Sequence, residues 1–197
     1  MCWSNRRIYY LPYLDCLREI DAVTARLKSR GATEFVVAGH SLGANAALAY
    51  GAVNRGLKGI VALAPGHRPE VLSRRPQIAA GLATAREHVS KGRGNATASF
   101  PDVNGALLIT VTATANAYLS FLAPDSPAVM PATQRGSRHP ALYRSERRSV
   151  ATRAGRIFAK APSHPLSRYV TVDAGHFDTS AASAPAMVAW LKELAKN

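Results

Sequence analysis

Acidic residues are scarce: 12 Asp and Glu stand against 25 Lys and Arg, a formal net charge of +13 over 197 residues. Cysteine is rarer still, and the two present, Cys2 and Cys16, fit neither a disulfide framework nor a metal knuckle. They are assigned no role, and a reducing compartment or indifference to redox state follows. No apolar run is long enough to cross a bilayer, and the start Met1-Cys2-Trp3-Ser4-Asn5-Arg6-Arg7 has no apolar signal core behind its basic residues. The chain therefore reads as cytoplasmic, without a transmembrane segment, unless a signal preceded it upstream. Internal repeats are absent. No cofactor motif or metal-ligand spacing is present, so no cofactor is expected and the metal set is empty.

A basic surplus can signal nucleic acid or an anionic surface. Its distribution argues otherwise. Between residues 134 and 156, Arg135, Arg138, Arg144, Arg147, Arg148, Arg153 and Arg156 face one acid, Glu146. A basic run without interleaved aromatics or a binding module is usually a solvated segment, so no nucleic-acid partner is expected. With 47% hydrophobic and 19% charged residues, the composition is that of a globular protein, and its length suits a single domain over 1–197. The residues set no oligomeric state.

Residues 12–30 predict an amphipathic helix, with Leu14, Leu17, Ile20, Val23 and Leu27 at three- and four-residue steps. Gly31 ends it. Glu34-Phe35-Val36-Val37-Ala38 is strand-like and breaks at Gly39 into the small-residue helix Ala44-Asn45-Ala46-Ala47-Leu48-Ala49-Tyr50. Gly59-Ile60-Val61-Ala62-Leu63-Ala64 is a second buried strand, stopped by Pro65-Gly66. This alternation predicts an α/β fold, a parallel sheet with helices on both faces. Residues 76–91 read as a helix and 106–122 as an apolar segment between helix and strand, taken as helix. The stretch 68–122 is then a helical insertion, either a cap over an active site or ordinary packing helices. Arg168-Tyr169-Val170-Thr171-Val172-Asp173 is a late strand. Residues 185–195 form a last helix, with Met187, Val188, Trp190, Leu191 and Leu194 on one side.

Chemistry is suggested where the first strand feeds its helix, at Gly39-His40-Ser41-Leu42-Gly43. A Ser flanked two residues away on each side by Gly occurs by chance in roughly one chain in twenty of this length, so the strand–turn–helix setting has to carry the reading. There, small neighbours let strand and helix pass closely, and the Ser41 hydroxyl stands at a helix N-terminus with the Leu42 backbone N–H available to an oxyanion. The bland alternative is a simple tight turn. Serine needs a base. Of six histidines, His176 follows a strand, sits in the loop Ala174-Gly175-His176-Phe177-Asp178 and comes after the serine. Its alternative is a satisfied loop histidine. His40 reads as structural, and His67, His88, His139 and His164 as surface or packing residues.

The stretch Val36-Val37-Ala38-Gly39-His40-Ser41-Leu42-Gly43-Ala44-Asn45-Ala46-Ala47-Leu48, the following Ile60-Val61-Ala62-Leu63-Ala64-Pro65-Gly66 and the late Tyr169-Val170-Thr171-Val172-Asp173-Ala174-Gly175-His176 resemble the α/β-hydrolase superfamily. They are similar in particular to its uncharacterised bacterial esterase-like serine hydrolases. The resemblance implies a nucleophile at Ser41, a base at His176 and a small-molecule ester or related acyl substrate.

The chain also departs from that pattern. The superfamily places about four strands before the elbow, and the loop after the third supplies a second oxyanion N–H. Only 40 residues precede Ser41 here. An amino-terminally truncated chain, lacking early strands and that donor, is the expectation. The triad acid is unknown: residues 141–150 show neither an apolar strand nor an Asp, and Glu146 is the carboxylate nearest the expected place. A coding frame slipped within 134–156 would explain both the missing strand and the irregular arginine-rich segment, and the gene's nucleotide sequence tests it. Two other classes compete with an acyl hydrolase: a catalytically impaired remnant of one, and a basic binding module.

Overall fold

In the computed structural model, which describes residues 2, 7–105, 107–128, 139–146, 158 and 163–197 with the side chains of 143–146 excepted, the elements follow in the order α1 (Tyr13–Lys28), β1 (Val36–His40), α2 (Leu42–Val53), β2 (Gly59–Leu63), α3 (Pro69–Leu72), α4 (Pro76–Ser90), β3 (Thr97–Asn104), β4 (Leu107–Thr114), α5 (Ala115–Leu122), β5 (Ala141–Glu146), β6 (Arg168–Val172) and α6 (Thr179–Leu194). These fall into two compact units, Met1–Val23 with Arg68–Val129, and Thr24–His67 with Met130–Asn197.

The second unit holds a four-stranded parallel sheet in the order β1-β2-β5-β6. Its helices can be assigned to faces from the register. Gly39 pairs with Ala62 and Val36 with Gly59, and side chains alternate along a strand. Gly39, Ile60 and Ala62 therefore share one face, and Gly59, Val61 and Leu63 the other. A Cβ on Gly39 would lie 2.0 Å from the Gly43 carbonyl oxygen in α2, and one on Gly59 would lie 2.7 Å from Trp190 in α6. The two helices cover opposite faces. The helix α2 is buried all round from Ala44 to Gly51, which is why its sequence is small and apolar without an amphipathic stripe. On the α6 side, Val61, Leu63, Leu142, Trp190 and Leu194 form a core, joined by Val36, Leu166, Val170, Met187 and Leu191. Each fully buried side chain of this size contributes about 1.5–3 kcal/mol relative to exposure. The Trp190 indole N–H donates to the Leu166 carbonyl at 2.7 Å, so its burial leaves no polar atom unpaired.

The strand β5 corrects the expectation that residues 141–150 contain no strand. Ala141 and Leu142 are buried, and the backbone pairs with β2 on one side and β6 on the other. A segment with ladder partners on both sides becomes a strand despite a polar composition, because pairing and context outweigh intrinsic preference. The frame-slip argument loses its missing strand. Of the arginine-rich segment, 134–138 and 147–156 lie outside the described residues.

In the first unit, β3 and β4 form an antiparallel hairpin, flanked in sequence by α4 and α5. Residues 107–114, expected as helix, are thus a strand, and the insertion at 68–122 is not all helical. Thr, Val and Ile in alternation support the hairpin once it has a partner strand. Tyr9 and Tyr13 pack on Phe121, with ring centroids 4.4 and 5.1 Å away. The buried face of α1 is Tyr13, Cys16, Leu17 and Ile20, rotated from the expected stripe, and Leu14 points to solvent. Cys2 and Cys16, given no role from sequence, are joined in a disulfide. The Tyr9 N–H donates to the Cys2 carbonyl, which holds Cys2 beside the residues leading into α1. The last helix begins at Thr179, six residues earlier than expected, with Pro185 inside it. Proline favours a first-turn position, which is why the sequence suggested a start there. No described helix is long and apolar enough to cross a membrane.

Candidate active site

The first strand delivers its chain to α2 through a single residue. Ser41 adopts φ 55° and ψ −120°, a region that L-residues rarely occupy and that costs on the order of 1–3 kcal/mol. Three hydrogen bonds hold it there. Its N–H donates to the Leu63 carbonyl at 2.9 Å, and its carbonyl accepts from Ala44 and Asn45 N–H at 3.0 and 3.4 Å. The close approach of β1 to α2 demands glycine at 39, since a Cβ there would overlap Gly43 backbone. With the Ser41 N–H committed to Leu63, the next donor is that of Leu42, the first residue of α2, whose N–H has no acceptor within the helix.

His176 lies in the loop between β6 and α6. That loop is closed by the Asp178 N–H and the Thr179 hydroxyl, which donate to the Gly175 carbonyl at 3.2 and 2.8 Å. His176 Nε2 stands 3.0 Å from Ser41 Oγ, so with the ring proton on Nδ1 the hydroxyl donates to Nε2. A serine hydroxyl in that position can lose its proton as it attacks an electrophile.

His40 Nε2–H donates to the His176 carbonyl at 2.8 Å, and the two rings lie 4.7 Å apart. His40 therefore holds the backbone of the histidine loop, which fits its structural reading. Sequence reasoning passed over two further neighbours. Asn45, fully buried in α2, donates to the His67 carbonyl at 2.6 Å and accepts the His67 N–H at 3.3 Å. That clamp fixes the loop after β2, where Ala64 has φ 43° and Gly66 lies against Ser41 and His176. A buried Asn four residues after the serine, in an otherwise apolar helix, was the available signal. Phe177 is 77% exposed, its ring 5.7 Å from that of His176.

The remaining histidines are placed by other contacts. His139 donates to the Asn54 carbonyl, His164 Nδ1 accepts the Leu166 N–H, and His88 stands edge-on to Phe100. Among the described residues no three His, Cys, Asp or Glu side chains are grouped as a metal requires. Glu146 closes β5 opposite Val172, but its side chain and residues 147–156 lie outside the described residues, so the acid has no assignment.

Several solved structures share this architecture. The α/β hydrolase GrgF from Penicillium sp. sh18 superposes with a TM-score of 0.67 at 14% identity, over 94% of this chain and 72% of that one. A monoacylglycerol lipase from Paleococcus ferrophilus gives 0.65 at 16% identity, covering 94% and 77%. An enol-lactonase from Burkholderia xenovorans LB400 gives 0.55 at 16%, covering 92% and 74%. No curated protein matches the chain. Identities this low speak for the fold alone. The sequence itself matches the profile of the alpha/beta hydrolase family over residues 8–189, and with that match spanning nearly all of its length the chain belongs to the alpha/beta hydrolase family.

Proposed function

We propose that the protein is a serine hydrolase acting on a small-molecule ester or related acyl compound. One observation carries the reading: the 3.0 Å approach of His176 Nε2 to Ser41 Oγ. As Ser41 Oγ bonds to the acyl carbon, its proton passes to His176 Nε2 and the carbonyl oxygen takes the negative charge, facing the Leu42 N–H. Collapse breaks the bond to the leaving alcohol, which takes the proton from Nε2. Water then repeats the sequence on the acyl-serine, releasing the acid. The strained backbone of Ser41 and the first turn of α2 favour charge developing at this point.

A fluorophosphonate probe tests the reading. Wild type is labelled at Ser41, and Ser41→Ala and His176→Ala are not. Well-folded wild-type protein that takes no label would establish the remnant reading instead. Compartment is the part of the sequence reading that the Cys2–Cys16 pairing argues against. A disulfide favours an oxidising environment over the cytoplasm.

A further inference from the structure

We propose that Gly66 sets the size of the leaving group the site admits, an inference that rests on the serine-hydrolase reading. A Cβ built on Gly66 lies 3.4 Å from Ser41 Oγ, 3.6 Å from His176 Cε1 and 3.6 Å from the Ala64 carbonyl oxygen. Cε1 is bonded to Nε2, the atom that faces Ser41. Residue 66 therefore borders both the nucleophile and the imidazole edge that returns the proton. In acyl transfer the leaving oxygen must sit within hydrogen-bond reach of that Nε2 while still bonded to the carbon that Oγ attacks. The oxygen and its first carbon substituents thus occupy space within a few ångströms of both atoms, and Gly66 lines it.

Packing supplies no other reason for glycine at this position. At Gly39 and Gly59 a Cβ would come within 3.0 Å of protein atoms, whereas at Gly66 every contact is an ordinary van der Waals distance and φ is not in the left-handed region. The protein itself leaves the volume open. The wall is also fixed, because the two hydrogen bonds between buried Asn45 and His67 hold the next residue and deny the loop an easy retreat. A methyl added here meets Oγ directly, and a branched side chain reaches past it.

The test uses butyrate esters of methanol, propan-2-ol and tert-butanol, with wild type, Gly66→Ala and Gly66→Val, and thermal melts to verify folding. Discrimination by a single methyl-sized group in a pocket runs to about 10–200-fold. Gly66→Ala is expected to lower kcat/KM for the branched esters at least about tenfold more than for the methyl ester, and Gly66→Val to widen that ratio. A uniform loss across the series, or no change, in folded variants of an active wild type would overturn the assignment and leave the hydrolase reading intact. A wild type that neither turns over the esters nor takes the fluorophosphonate would overturn the hydrolase reading, and this assignment with it.

Discussion

Adding one methyl group at Gly39 should separate a turn held by close backbone approach from one that merely contains glycine. The Cβ of Gly39→Ala would stand 2.0 Å from the Gly43 carbonyl oxygen, 2.2 Å from its carbonyl carbon and 2.7 Å from Ala44 N. Ordinary carbon contacts are about 3.5–4 Å, so the start of α2 must move by more than about 1 Å. It cannot move freely, because Ala44 and Asn45 are fully buried and bonded to the Ser41 carbonyl. Overpacking a well-packed interior costs about 1–3 kcal/mol, occasionally more. Obstruction by backbone on a buried helix belongs at the top of that range. For a chain of this size 3 kcal/mol corresponds to a fall in Tm of roughly 6–12 °C. The same shift displaces Ser41 from His176, and a misplacement of about 1 Å can cost on the order of 100-fold in rate. Circular dichroism melts and the rate of fluorophosphonate labelling read the two effects. Gly56→Ala is the control, since its Cβ meets nothing nearer than the Asn54 side chain at 3.5 Å. If Gly39→Ala melts within about 2 °C of wild type and is labelled equally fast, the close-approach account of the elbow is wrong.

Burial holds the Asp102 carboxyl above the usual carboxylate range, against the opposing hydrogen bonds from Val103 N–H and the Tyr9 hydroxyl. The folded state therefore retains that proton to higher pH than the unfolded chain, and the associated stability is full below the ordinary carboxylate pKa and lost as pH rises through the folded value. Asp102→Asn should gain on wild type between pH 4 and pH 7 in urea denaturation, and parallel pH profiles would contradict the linkage. Joining cysteines 14 positions apart in sequence, the Cys2–Cys16 bond should contribute about 3 kcal/mol, read as a drop in Tm on reduction. Alkylation before and after reduction should count no free thiol and then two, and two thiols in protein taken from its native cells would sink both the pairing and the oxidising compartment.

Local rules reached furthest where structure is local. Gly31, the apolar run of β1, the wholly buried β2 and the small-residue helix after Ser41 are set by neighbours in sequence, and each stands within a few residues of where periodicity put it. They failed where the deciding partner is distant. The hairpin β3–β4 exists because two segments pair with each other, and β5 because two other strands flank it. The face of α1 rotated because Tyr13 found Phe121 more than a hundred residues away. Cys2 meets Cys16 where the Tyr9 N–H also bonds the Cys2 carbonyl, a proximity no cysteine spacing records.

By itself the sequence determined the elbow, because a strand-like run breaking at Gly39 and a small-residue helix from Ala44 leave Ser41 in a tight strand-to-helix turn, and the motif carries its own geometry. It also marked His176 as the histidine with a fitting loop. Only the tertiary structure decided that His176, 135 positions further along the chain, comes within 3.0 Å of Ser41, that His40 at the end of β1 secures the loop after β6 although the two strands are not adjacent in the sheet, and that Gly66 borders both Ser41 and His176. Those relations depend on how strands far apart in the chain stack side by side, and parallel pairing sets that order through long crossovers that no short window of sequence contains.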